Sequence, residues 1–138
     1  MERIDFQVKE EDRKDIITRT YKFALRILYI VNKLPKNALT YRIIDQLVGC
    51  GTAIGSNAEE ASAGFSKSDF TYKMSIASKE ARETNYFLRL LRDSGLIKED
   101  SLNKEIVDAI DGSNQIKKIL TSVVKTSQTK VKIRQSKS

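Results

Sequence analysis

Pro35 is the only proline in 138 residues, and only Gly95 and Gly112 lie outside the glycine-bearing segment 49–64. A chain so poor in helix breakers is free to run as long helices, and its apolar residues fall at the matching period. Ile16, Thr20, Phe23, Ile27, Ile30 and Leu34 recur at alternating four- and three-residue steps, with Ile17, Ala24, Leu28 and Val31 widening the stripe. That spacing predicts a first helix over about 12–34. Pro35 ends it, because its ring lacks the N–H that another turn requires. A second helix is expected over about 39–63, with Ile43, Leu47, Ile54, Ala58 and Ala61 inward. Gly64 suits its C-terminal cap, and Ser66 or Ser68 suits the N-cap of the next helix. The third helix has the strictest pattern, Phe70, Met74, Ala77, Ala81, Thr84, Leu88 and Leu91, flanked by Ile76, Phe87 and Leu90, and closes at Ser94-Gly95. The fourth turns Leu102, Ile106, Ile110, Ile116, Leu120 and Val123 toward the same core. Periodicity fades beyond about Ser127, so residues 128–138 read as a frayed basic tail on a bundle made by 1–127. Four helices joined by short turns predict an all-α, single-domain, antiparallel up-down-up-down four-helix bundle.

The segment "VGCGTAIGSNAEEASAG", residues 48–64, raises the question of a phosphate-gripping loop. Such a loop needs a preceding strand and a Lys-Ser or Lys-Thr pair opening a helix. Here the glycines follow the helical "YRIIDQLV", and no lysine appears until Lys67. Gly51 and Gly55 instead share a helix side with Ala58 and Ser62, forming a smooth groove where a neighbouring helix can settle. Each interior glycine costs about 1 kcal/mol relative to alanine, so close contact must offset that loss.

Composition narrows the chemistry further. Histidine is absent, which removes the usual ligands of di-iron and catalytic zinc sites and all histidine-based triads. No enzyme activity and no cofactor are expected. Cys50 is the one cysteine, so no internal disulfide can form, and a thiol on an apolar helix side reads as packing. The charged "MERIDFQVKEEDRKD" has no signal-peptide core and no apolar run reaches membrane-spanning length, which predicts a soluble, cytoplasmic protein without membrane contact. Of 25 basic and 18 acidic residues, residues 112–138 hold seven basic and none of the acidic ones, leaving 18 of each in 1–111. The whole net charge of +7 therefore sits on Lys117, Lys118, Lys125, Lys130, Lys132, Arg134 and Lys137. These cations suit phosphate or an acidic protein surface, and they would equally serve as a solubilising end.

The stretch "IGSNAEEASAGFSKSDFTYKMSIASKEARETNYFLRLLRDSGLI" resembles the four-helix-bundle family named after proteins encoded by intervening sequences in large-subunit ribosomal RNA genes. The matching residues are Ser56, Asn57 and Glu60 at the end of helix two, then Phe70, Ile76, Ala77 and Glu83 on helix three. Glu59, Ala61 and Asp69 depart from the family wording. The accessory protein of diversity-generating retroelements is similar to the same bundle. The resemblance implies a cytoplasmic homo-oligomer, with a five-membered ring (a pentamer) among the forms relatives take, and association with RNA or DNA. It brings no catalytic residue with it.

Two polar rows carry the binding expectation at residue level. Arg19, Lys22, Arg26, Tyr29 and Lys33 follow helical spacing on helix one, and Lys79, Arg82, Tyr86 and Arg89 do so on helix three. Cations interleaved with tyrosine suit nucleic acid, the cations meeting phosphates and the rings stacking on bases. An ordinary solvated face has the same composition. Glu80 and Glu83 interrupt the apolar row Ile76, Phe87, Leu90. With Glu60 they could ligate a hard cation, or Asn57, Glu60 and Glu83 could make structural polar contacts, since a buried charge without a partner costs several kcal/mol.

Overall fold

A computed structural model describes residues 10–64 and 66–137, with side chains described over 14–64 and 66–129. Four helices account for them: α1 Glu10–Lys33, α2 Ala38–Ser62, α3 Lys67–Asp93 and α4 Asp100–Lys137. α1 packs on α2, α2 on α3, α3 on α4, and α4 returns to α1, while neither diagonal pair approaches. The short connections between neighbours make this the expected up-down-up-down bundle, a square in cross-section.

The core is built from the predicted stripes. Ile16, Phe23, Ile27 and Ile30 of α1 and Leu34 just past its end are buried with Leu47, Ile54, Ala58 and Ala61 of α2, the full strict row of α3, and Leu102, Ile106, Ile110, Ile116, Leu120 and Val123 of α4. Spacing misleads at the flanks, where Leu28 and Leu90 are exposed. A helix stripe is about 100° wide, and both residues sit on its edge, so the packing angle of the neighbour decides their fate.

The first corner completes its hydrogen bonds locally. Lys36 Nζ donates to the Val31 carbonyl at 2.6 Å and to that of Leu34 at 2.8 Å, tying off the last turn of α1. Asn37 Oδ1 accepts from the Leu39 and Thr40 amides at 3.0 Å, and Thr40 Oγ1 accepts from the Asn37 amide at 2.9 Å, a capping box that starts α2. Ser66 caps α3 by accepting from the Asp69 amide. Two terminal expectations change. Gly64 is not a left-handed cap: α2 ends on Ala63 in the right-handed region, and Gly95 at φ +74° takes the left-handed role after α3. The backbone over 128–137 is helical rather than frayed, since α4 continues to Lys137. Its lysines, arginine and glutamine are good helix formers and no glycine or proline intervenes, which outweighs the lost apolar period.

Gly51 and Gly55 lie within α2 and face α1. A Cβ on Gly51 would come 3.0 Å from both Cγ atoms of Ile27, and one on Gly55 would lie 3.4 Å from the Thr20 backbone. The glycine segment is thus the close-packing side of a helix, as its spacing implied. The α3–α4 contact is of another kind. Thr71, Ser78 and Asn85 stand one heptad apart on α3 and meet Ser127, Thr121, and Ser113 with Asn114 in descending order on α4. This hydroxyl and amide ladder directly displays the antiparallel register.

Candidate functional site

Cations line both grooves that flank α4. On the α3 side, Arg82, Lys117, Lys118 and Lys125 line an open groove of about 550 Å³ together with Thr121, Ser122 and Thr126. Among the described residues none of these four cations forms an ion pair, whereas Lys73 pairs with Glu60 and Arg92 with Asp93. No carboxylate lines the groove. On the α1 side, Arg19, Lys22 and Arg26 line a smaller groove of about 200 Å³ over Phe23 and Ile116. The Arg19 guanidinium donates to the Gln115 side-chain carbonyl and so spans α1 and α4.

Helical geometry explains the arrangement. Arg19, Lys22 and Arg26 recur at three and four residues, which puts them on the α4 flank of α1. Phe23 packs over Gly112 of α4, at a distance where a Cβ would make ordinary van der Waals contact with its ring, 3.6 Å away. Unpaired cations at 3–4-residue spacing repel one another, and an arriving polyanion relieves that repulsion.

The structure divides the expected residues into groups. Arg19, Lys22, Arg26, Arg82, Lys117, Lys118 and Lys125 line the two grooves. Tyr29 and Lys33 engage each other: the Lys33 ammonium donates to the Tyr29 hydroxyl and lies 4.2 Å from the ring centre. That hydrogen bond, with Glu105 and Glu99 at longer range, holds Lys33 above its ordinary pKa. Tyr86 sets its ring edge-on to Phe87 at 5.4 Å, and Arg89 lies 5.9 Å from the Tyr86 ring centre. Both tyrosines touch neighbours of their own chain while staying about half exposed, and neither lines a groove. Lys79 is exposed on α3 and lines neither groove. Lys130, Lys132, Arg134 and Lys137 lie outside the described side chains.

Arg89 is more constrained than its row suggested. The buried Asn85 amide nitrogen donates to Ser113 Oγ at 2.9 Å and to Asn114 Oδ1 at 3.2 Å, while its oxygen accepts from Arg89 Nε at 2.8 Å. The Nε edge of the guanidinium is thereby anchored to the α3–α4 seam. The periodicity argument missed Asn85, although its heptad relation to Thr71 and Ser78 was a signal for a polar seam.

The carboxylates do not converge as a metal site requires. Among the described residues, no group of three or more Cys, Asp and Glu side chains is close enough to hold an ion. Glu60 pairs with Lys73 at 2.9 Å. Asn57 donates to the Ala53 carbonyl of its own helix at 2.8 Å. Glu80 and Glu83 are half-buried neighbours; burial, and then the Glu83 charge, raise the Glu80 carboxyl above its ordinary value. Burial likewise pushes the Cys50 thiol up, away from the reactive thiolate. No helix among the described residues is long and apolar enough to cross a membrane.

Comparison with known proteins agrees with this architecture. The model of the 23S rRNA-intervening sequence protein family matches residues 12–122. A crystal structure of a protein with unknown function, from the S23 ribosomal protein family of Bacteroides thetaiotaomicron VPI-5482, is 31% identical, with a TM-score of 0.72 over 82% of this chain and 97% of that one. No curated protein matches the chain. With the family model covering helix one through most of helix four, and a solved relative sharing the same bundle, the chain belongs to the 23S rRNA-intervening sequence protein family.

Proposed function

We propose that this chain is a non-enzymatic, self-associating cytoplasmic bundle that binds nucleic acid, RNA or DNA, through phosphate contacts. The observation that carries the reading is the α3–α4 groove, where Arg82, Lys117, Lys118 and Lys125 stand together without a carboxylate among them. Hydroxyls of Thr121, Ser122 and Thr126 beside the cations suit phosphate oxygens. The row Tyr21, Leu25, Leu28, exposed by 59, 50 and 42% on another side of α1, supports self-association. A symmetric assembly would repeat the groove and multiply weak contacts.

The test is fluorescence anisotropy of labelled duplex and single-stranded oligonucleotides from 50 to 200 mM salt. Binding should weaken steeply, with log K falling by about 0.9 per phosphate neutralised for each tenfold rise in salt on duplex DNA. Arg82→Glu with Lys118→Glu should lower affinity by about a hundredfold at low salt while leaving the melting temperature in place. Salt-independent binding would overturn the phosphate reading. Capture of one acidic protein that survives nuclease treatment, with no oligonucleotide bound, would replace it with the protein-interaction reading of the same groove.

A further inference from the structure

The two cation rows bracket a single helix, and that bracket specifies a shape of ligand. Neighbouring axes in such a bundle lie about 8–10 Å apart, so α1 and α3, on the diagonal, are separated by roughly 11–14 Å. Seen from outside its corner, α4 then stands about 6–7 Å proud of the line joining them. Its outward row in this region is Lys118, Ser122, Lys125 and Thr129, all exposed and at four-three-four spacing. The row contains hydrogen-bonding groups and no apolar or acidic side chain. Arg82 forms the shoulder beside this row, and Arg19, Lys22 and Arg26 form the other beside Gly112, Gln115 and Ile116, toward its Lys118 end. Along α1 the nearest carboxylate, Asp15, lies one turn before Arg19; along α4 it is Asp111, two turns before Lys118 and next to Gly112, which neighbours Arg26.

We infer that α4 is a groove-entering helix: Lys118, Ser122, Lys125 and Thr129 lie in the major groove of B-form duplex DNA while the shoulders hold the phosphates of the two flanking strands. The inference rests on the phosphate reading above and narrows it. The B-form major groove is about 12 Å wide and 8.5 Å deep, which matches a helix of about 10–12 Å standing proud between two cationic shoulders. The B-form minor groove, about 6 Å wide, excludes a helix. An A-form RNA duplex has a deep major groove too narrow for a helix and a shallow minor groove that a protruding ridge fits poorly. Single strands are bound by aromatic stacking platforms, and no tyrosine lines either groove.

The experiment uses the full chain with a duplex DNA of about two helical turns, the duplex RNA of the same sequence, and the single DNA strand. Affinities are read by anisotropy, and groove occupancy by dimethyl sulfate, which methylates guanine N7 in the major groove and adenine N3 in the minor groove. We expect duplex DNA to bind at least about tenfold more tightly than the other two, with guanine N7 protected and adenine N3 still reactive. Ser122→Glu, at an exposed position whose melting temperature should not move, should weaken duplex DNA binding about tenfold. Arg26→Glu and Arg82→Glu should each weaken it and flatten its salt dependence. Equal or tighter binding of duplex RNA, or a DNA complex in which guanine N7 stays reactive, overturns the groove assignment and leaves the phosphate reading standing. Absence of binding to all three overturns both.

Discussion

The α1–α2 and α3–α4 contacts join helices of the same bundle by opposite means. α1 meets α2 across glycine, with Gly51 against Ile27 and Gly55 against the Thr20 backbone, so shape alone sets the approach. α3 meets α4 across a ladder of side-chain hydrogen bonds, Thr71 with Ser127, Ser78 with Thr121, and Asn85 with Ser113 and Asn114. Apolar packing tolerates small axial slips, whereas a polar ladder pairs at one register only, because a slip leaves buried donors unsatisfied. The cationic groove lies on the ladder side. The bundle thus uses close packing where it needs only adhesion, and hydrogen bonds where cations from two helices must hold a fixed spacing.

Four substitutions can break or sharpen this contrast, in descending order of expected effect. Gly51→Val should cost about 2–3 kcal/mol in urea unfolding, because Ile27 is fully buried and has no room to retreat. Asn85→Leu should cost about 1–2 kcal/mol, through the loss of its bonds to buried Ser113 and to Arg89. If it cost more than Gly51→Val, the ladder and not the glycine contact would be the stronger joint. Gly49→Ala, exposed on the side of α2 opposite Gly51 with nothing within 4 Å of its Cβ, should gain about 0.5–1 kcal/mol, and a loss would mean that α2 presses on a neighbour there as well.

The smallest effect concerns the α2 flank of α3. Glu80 is raised by burial and by Glu83, so its charged form is disfavoured in the folded state. For a carboxyl raised in this way, stability falls as pH climbs from the unfolded value through the raised folded value. Glu80→Gln should accordingly be more stable at neutral pH by about 0.3–0.5 kcal/mol, with the gap closing below pH about 4. Thermal melts at pH 3.5 and 7 would check it, and an equal gap at both would assign the effect to packing instead.

The helices and nearly all of their inward residues were legible because Pro35 and the scarcity of glycine left periodicity undisturbed. Leu28, Leu90 and the helical state of 128–137 were not, since they depend on how neighbours are angled and on intrinsic propensity once the apolar period fades. For the site, the sequence supplied the cations but not their grouping. Arg82 joins Lys117, Lys118 and Lys125 only through the α3–α4 register, and that register is set by polar pairs whose partners stand 28 to 56 residues apart. Tyr29 and Tyr86 were legible as exposed rings, but spacing does not reveal that neither lines a groove.

The Lys36–Thr40 corner satisfies itself from atoms within a single chain reversal. During synthesis the leading pair of rods can therefore fold back and zip along Gly51 and Gly55 before the trailing pair has emerged. Until the trailing pair emerges, that hairpin presents Leu47, Ile54 and Ile30 to whatever surrounds it, which makes the nascent half-bundle the most aggregation-exposed stage of the protein's life.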